Sequence, residues 1–503
     1  MLLGYDVGSS AIKAALLDPE AGTVVASARS PADEEMTMEA PRPGWAEQPP
    51  SRWWHHVQAA TEALRTEAGP DLEAVEAIGL TYQMHGLVLV DEAHEVLRPS
   101  IIWCDSRAVD IGRAAFEALG REWCLRHLLN SPGNFTASKL AWVKAHEPEV
   151  YEQVHRAMLP GDYLAFRMTG EICTTPSGLS EGTLWDVQRD GLATDLLDHF
   201  GIDPNLWPTV VPTFSRQGTL TRSAADTLGL PAGTPVAYRA GDQPNNAFSL
   251  NALDPGDVAA TAGTSGVVYG VDDTPRYDER SRVNTFLHVN HEPGTQARYG
   301  TLMCVNGTGI LNRWLQQTIG TLSYDEMNAE AGQAPIGAEG VTVLPFGNGA
   351  ERTLDNRDPG ASVHGLNFNV HDRRHLLRAA QEGIVFALRY GLDIMTEMGL
   401  PVDTVRAAHG NMFLSPVFRE AFATVTGTTV ELLRTDGAEG AARGAGVGAG
   451  RFDAPEAAFA GLETVATVAP TAEDADAYDA AYRRWRSRLD HELARLEAGT
   501  ASD

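Results

Sequence analysis

The stretch LLGYDVGSSAIKAALLD, residues 2–18, is small and apolar throughout. It is broken once, at Gly8-Ser9-Ser10, with a single carboxylate, Asp6, just ahead of the break. Two β-runs joined by a glycine- and serine-rich turn form a hairpin. TVVASARS (23–30) extends it after a second turn at Pro19-Glu20-Ala21-Gly22. The same shape returns at GDVAATAGTSGVVYG, residues 256–270, where Gly263-Thr264-Ser265-Gly266 interrupts a β-run. Glycine weakens a strand unless something approaches the backbone closely. Successive backbone N–H groups with hydroxyls beside them suit an oxyanion such as phosphate. The repeat therefore predicts an internal duplication, two α/β units that each open on a phosphate-facing turn. We place the division near 243, giving parts 1–243 and 244–503. Strands and helices alternate to about residue 185, which implies α/β layering. Helices are expected at 52–68, with Trp54, Val57 and Leu64 inward, at 308–319 and at 373–399. AYDAAYRRWRSRLDHELARLEAG (477–499) reads as a last surface helix.

A chain of 503 residues is long enough for about two to four domains. The formal charge of −28 argues against a nucleic-acid surface, which needs clustered Lys and Arg. Lysine occurs only at 13, 139 and 144, so arginine carries nearly all the positive charge. No run of 18 apolar residues is present, so no membrane span is expected. The first residues show no basic segment and no cleavage site, and the expected location is cytoplasmic. Cys104, Cys124, Cys173 and Cys304 are spaced for neither a zinc site nor a disulfide scaffold.

In AYRAGDQPNNAFSL (237–250) a buried-looking strand runs into Gly241-Asp242. Two readings stand side by side. A carboxylate in a dry cleft gains proton affinity and suits a general base that accepts a hydroxyl proton. Asp is also a favoured helix N-cap. Asp6 has two readings as well, a turn-stabilising residue or a water-mediated holder of Mg²⁺, an ion that takes only one or two carboxylates. TYQMHGLVLVD (81–91) places Gln83, Met84 and His85 in a polar gap between strands, and SIIWCDSRA (100–108) brings together Trp103, Asp105 and Arg107. A flat ring with directional donors and acceptors suits a polyhydroxylated ligand; a structural histidine and a salt-bridged strand end are the plain alternatives. The loop at His409-Gly410-Asn411 permits close approach of a flat base beside Gly410, with a generic strand–loop–helix as the plainer reading. No G-x-x-x-x-G-K-[ST] stretch exists, which excludes a Walker-type ATPase. GAGVGA (444–449) lies in an Ala/Gly-rich helical run, where small residues allow close helix packing.

In order along the chain, GYDVGSS, PGWAEQPPSRWW, QMHGLVLVDEAHEVLRPSIIWCDSR, NFTASKLAWVKAHEP, GDYLAFRMTGE, GTLWDV, AGDQPNNA, AGTSGVV and GNMFLSPVFRE together resemble the FGGY family of carbohydrate kinases. The resemblance spans nearly the whole chain. It implies two ribonuclease-H-like domains of the actin/hexokinase ATPase type, with a cleft that closes over sugar and ATP·Mg²⁺. By resemblance Asp242 is the proton acceptor and Asp6 the metal-side aspartate. Gln83, Met84, His85, Trp103, Asp105 and Asn245 belong with the sugar. Gly8, Ser9, Ser10, Lys13, Gly263, Thr264, Ser265, Gly266, Gly309, Gly410 and Asn411 belong with the nucleotide. Gln83-Met84-His85-Gly86 resembles the members acting on xylulose more than those acting on glycerol or gluconate. The implied partners are a sugar and ATP, and a homodimer is the assembly to look for. A kinase of another ketose or polyol, and a catalytically silent sugar-binding regulator, remain open alternatives.

Overall fold

A computed structural model describes residues 1–320 and 322–500. The opening run folds as read. Strands β1 (Leu2–Val7) and β2 (Ile12–Asp18) are antiparallel, with Asp6 opposite Lys13, and β3 (Thr23–Ser30) continues the meander. Helix α1 (Pro50–Ala68) covers β2 and β3 and buries Trp54, Val57 and Leu64. Strand β4 (Ala77–Tyr82) joins β1 in parallel, and β5 (Val236–Gly241) joins β4 in parallel, so the sheet order is β5-β4-β1-β2-β3. Both β4 and β5 are buried at every position. Helices on both faces explain why they read as unbroken apolar runs. Between them the chain builds an added layer containing α2 (Thr136–His146) and α3 (Pro176–Glu181), with its own apolar cluster around Leu140, Val143, Leu179 and Leu197. Helix α4 (Asp242–Ser249) follows β5 directly.

The second sheet contains β6 (Asp257–Ala262), β7 (Gly266–Asp272), β8 (Asn284–Leu287), β9 (Tyr299–Val305), β10 (Thr404–Ala408), β11 (Val430–Leu433) and β12 (Thr464–Val468). Its order is β8-β9-β7-β6-β10-β11-β12. Without the outer strands β8 and β12, the remaining β9-β7-β6-β10-β11 repeats the first sheet pairing for pairing, antiparallel from β9 to β6 and parallel from β6 to β11. The duplication read from two hairpins thus extends to two ribonuclease-H-like sheets. Helices α5 (Gly309–Ile319) and α6 (Arg373–Glu397) lie in this second half, and the core there includes Val258, Met303, Ile384 and Phe386. The C-terminal helix Ala472–Thr500 is the expected surface element, with one face turned inward. It buries Tyr478, Trp485 and Leu489, and the Trp485 indole N–H donates to the Val343 carbonyl at 3.0 Å. No helix among the described residues is long and apolar enough to cross a membrane.

Helix α7 (Gly437–Gly448) lies between β11 and β12 in sequence but packs on β1, β4 and β5 of the first sheet. Side-chain-free positions make this possible. A Cβ on Gly4 would fall 1.9 Å from the Ala438 carbonyl oxygen, one on Gly79 1.9 Å from that of Ala441, and one on Gly444 2.5 Å from the Tyr238 ring. Helix and sheet therefore touch backbone to backbone, as the small-residue run GAGVGA implies.

The contact makes Gly79→Ala an overpacking mutation, expected to cost roughly 1–3 kcal/mol in urea or thermal unfolding. Gly410→Ala is the control: its Cβ would meet nothing within 4 Å, and its stability should stay within about 0.5 kcal/mol.

Candidate active site

Strand register decides which loops meet. Val7 lies opposite Tyr82, and Tyr82 opposite Gly241, all in parallel. Asp6, the Gln83–His85 loop and Asp242 must therefore leave the sheet at one edge. In the second sheet Ala260 lies opposite Ala407, so the Gly263–Ser265 turn and the His409–Asn411 loop also emerge together. The carboxyl ends of parallel strands are where open α/β sheets bind ligands.

Asp242 is the first residue of α4 and the cap position is Gly241, which corrects the N-cap reading. Burial pushes its carboxyl up to about 8, with Asp6 and then Glu181 adding, against hydrogen bonds from Gln243. Burial likewise pushes Asp6 up to about 6, against the pull of Lys13 and with help from Asp436. The Cys304 thiol stands near the second turn. Burial, Glu351 and Asp242 push it up to about 12, and it is hydrogen-bonded with Ser265. Gly437 opens α7 beside this group: a Cβ there would fall 2.7 Å from Asp6 Oδ2 and 3.3 Å from Asn246 Oδ1.

The first turn is held by its carbonyls. Ser9 O accepts from Gln48 Nε2 at 2.7 Å, and Ser10 O accepts from the Met36 N–H at 2.7 Å. Gln83 Nε2 donates to Gln48 Oε1 at 3.1 Å, so Gln83 braces the turn from behind. Trp103 is 48% exposed and its indole N–H reaches Ser9 Oγ at 3.4 Å. Met84 is buried under Gly241, with its Cγ 2.7 Å from where a Cβ would stand. His85 has a left-handed backbone, φ 61°. Its N–H donates to Glu181 Oε2 at 2.6 Å, and its ring packs edge-on to Phe135 at 4.7 Å between centroids.

On the second half, a cavity of about 320 Å³ opens between the Gly263-Thr264 turn, the start of α5 and the 409–412 loop. Gly309 N–H donates to the Gly263 carbonyl at 2.8 Å, and a Cβ on Gly309 would fall 2.3 Å from that oxygen. The walls include Arg313, Tyr324, Asn328 and Asn411. An aromatic ring, a guanidinium and two amides beside a glycine-lined floor form a slot suited to a flat heterocycle with polar edges.

The structure thus brings Asp6, Gly8, Ser9, Ser10, Lys13, Gln83, Met84, His85, Trp103 and Asp242 to one sheet edge. It brings Gly263, Thr264, Ser265, Gly309, Gly410 and Asn411 to the other. Three expectations are corrected. Asp105 is fully buried, and its carboxylate takes the Arg107 guanidinium at 2.7 Å and the Ala46 N–H at 2.6 Å, so it is the salt-bridged strand end and does not face a ligand. Asn245 is also fully buried and donates to the Gly437 carbonyl at 2.9 Å, fastening α4 to α7; its neighbour Asn246 is the amide beside Asp6. Gly266 already belongs to β7, and Thr308 Oγ1 stands 2.6 Å from where its Cβ would be, so its small size serves packing. Residue-by-residue reading missed Glu181, Asn246, Arg313, Tyr324 and Asn328. Each is joined to the site only by chain folding.

Two halves with repeated ribonuclease-H-like sheets, facing across a cleft, define the actin/hexokinase-type fold. Residues 1–249 match the N-terminal domain, and residues 258–451 the C-terminal domain, of the FGGY family of carbohydrate kinases. The xylulose kinase of Escherichia coli (strain K12) is 31% identical over 446 residues, 88% of each chain. The crystal structure of xylulose kinase from Rhodospirillum rubrum superposes with a TM-score of 0.85 at 28% identity, covering 98% of this chain and 99% of that one. Plasmodium falciparum glycerol kinase with ADP shares the fold, with a TM-score of 0.86 at 19% identity and 98% coverage of both. The chain belongs to the FGGY family of carbohydrate kinases, enzymes that use ATP.

Asp242 holds its proton more tightly folded than unfolded, about 8 against the ordinary 3.8. Its ionisation therefore costs nothing below about pH 4, costs progressively more as pH rises, and costs fully above about pH 8. Asp242→Asn removes that cost and should stabilise the fold by roughly 1–3 kcal/mol at pH 8. Thermal unfolding at a series of pH values should show the gain vanishing as pH falls towards 4.

Proposed function

We propose that the protein phosphorylates D-xylulose at its terminal C5 hydroxyl with ATP, giving D-xylulose 5-phosphate. The observation that carries this reading is Asp242: a partly buried carboxylate with raised proton affinity, at the sheet edge it shares with Asp6 and the Gly8–Ser10 turn. The similarity to xylulose kinases over most of the chain supports the choice of sugar. In this reading the N-terminal part, 1–243, holds the sugar and the C-terminal part, 244–503, holds the nucleotide.

Phosphoryl transfer asks little covalent chemistry of a protein; positioning and charge stabilisation do most of the work. Asp242 accepts the proton of the attacking hydroxyl. His85, Met84 and Trp103 orient the sugar. The backbone N–H groups and hydroxyls of the Gly8–Ser10 and Gly263–Ser265 turns hold the phosphate oxygens. Asp6 fits a role as the metal-side residue. Its carboxylate faces Lys13 across the strand pair, and among the described residues no group of three His, Cys, Asp or Glu could chelate an ion. This donor set suits Mg²⁺ held largely by phosphates and water, which when bound neutralises polyphosphate charge. Closure of the halves excludes water and so limits loss of ATP to hydrolysis.

The test is a panel of D-xylulose, L-ribulose, glycerol and gluconate with coupled ADP detection. D-xylulose should give the highest kcat/KM; turnover of L-ribulose or glycerol alone would move the substrate, and no turnover at all would favour a sugar-binding regulator. Asp242→Asn should lower kcat at least about 10³-fold while calorimetry still detects sugar binding. In the wild type, kcat/KM for the sugar should rise with pH through about 8, as Asp242 ionises.

A further inference from the structure

His85 is gripped from both ends of its peptide by buried charged side chains. Glu181, fully buried at the end of α3, accepts the His85 N–H with Oε2 at 2.6 Å. The same oxygen is 2.9 Å from His85 Nδ1, and the Glu181 carbonyl is 2.7 Å from it. On the other side, Lys139 donates to the His85 carbonyl at 2.7 Å and to the Ile102 carbonyl at 2.9 Å. Lys139 is fully buried and makes no ion pair within 4 Å among the described residues. A buried ammonium bound only to carbonyls is costly. This one joins two loops, that of His85 and that leading into Trp103. The left-handed backbone of His85 costs a non-glycine residue further free energy and persists only where its surroundings impose it.

The hydrogen bonds fix the tautomer. A carbonyl and a carboxylate only accept, so Nδ1 carries the proton. Nε2 has no protein partner among the described residues, and the ring is held by Phe135 at 4.7 Å and Phe286 at 5.7 Å. We propose that Glu181 and Lys139 are positioning residues: by holding His85 strained and in its Nδ1–H tautomer, they present Nε2 as the acceptor for one sugar hydroxyl. This rests on the reading of the cleft as a sugar site. Glu181 holds His85 through Oε2, and its Oε1 is buried as well. Its second oxygen stands 3.6 Å from where a Gly241 Cβ would be, next to Asp242.

The test has a kinetic and a spectroscopic arm. Glu181→Leu should raise the sugar KM on the order of 10–100-fold while the ATP KM stays within about twofold. Glu181→Gln keeps an acceptor for both His85 donors and should recover most of the loss. In the His85→Ala background, Glu181→Leu should cost little more, because the two act through one contact. Nitrogen-15 NMR of labelled histidine, with His85→Ala for assignment, should show His85 as Nδ1–H in the wild type and also in Glu181→Leu, where the main-chain carbonyl of residue 181 still accepts that proton. Lys139→Met should give the same sugar-side loss; if it fails to fold, the Glu181 variants still decide. Additive losses in the double mutant, equal rises in both KM values, or an Nε2–H tautomer in the wild type would overturn the inference. Absence of turnover and of sugar binding in the wild type would instead sink the functional reading, and the wild-type tautomer would still judge how His85 is held.

Discussion

The parallel register of β1, β4 and β5 is the constraint from which the site follows. Once Val7, Tyr82 and Gly241 are level, the residues that come next have no choice of edge. A one-residue slip in any of these strands would turn its side chains to the opposite face. Every strand here is covered on both faces, so such a slip would put buried groups in the wrong layer as well as displace Asp6 or Asp242. The second sheet applies the same rule to its own turn and loop. The cleft is therefore made by two hydrogen-bonding patterns, each secured by a core that tolerates no other alignment.

That edge collects charge at a cost. Burial, Asp6 and Glu181 raise the proton affinity of Asp242, and burial and Asp436 raise that of Asp6. Lys139 is held below its ordinary range, at about 8, by burial. His85 adds backbone strain. Such conflicts between local preference and final structure gather at functional sites, and the surrounding packing must offset them. Here the offset comes from large, closely fitted layers: Trp53, Tyr5, Tyr82, Tyr238 and Phe248 are fully buried around the first sheet.

Much of this was legible in the residues alone. The hairpins announced themselves because glycine and serine interrupt β-runs at matching places, and Asp242 stood out because a carboxylate rarely follows a buried strand. The failures have physical causes. Trp103, Asp105 and Arg107 are neighbours in sequence, and adjacency cannot tell a ligand-facing carboxylate from a paired one; only the Ala46 N–H, brought from 59 residues away, decides. Asn245 and Asn246 differ by one helical step, and which of them meets α7 depends on a helix nearly 200 residues later. Glu181 ends a six-residue helix with no periodic signal, and its partner His85 lies 96 residues upstream. The slot beside Tyr324 is assembled from separate segments, none of which is unusual alone.

The placement of α7 has a consequence for how such a chain can change. Because Gly437–Gly448 is inserted in the second half yet forms a layer of the first, the backbone passes between the halves three times. A fragment ending after α4 would carry a sheet with one face bare. The halves are therefore not interchangeable modules, despite their repeated sheets. Recombination between relatives at the midpoint would graft a foreign helix onto the native sheet, and would succeed only where the glycines at 4 and 79 still meet small residues on the incoming partner.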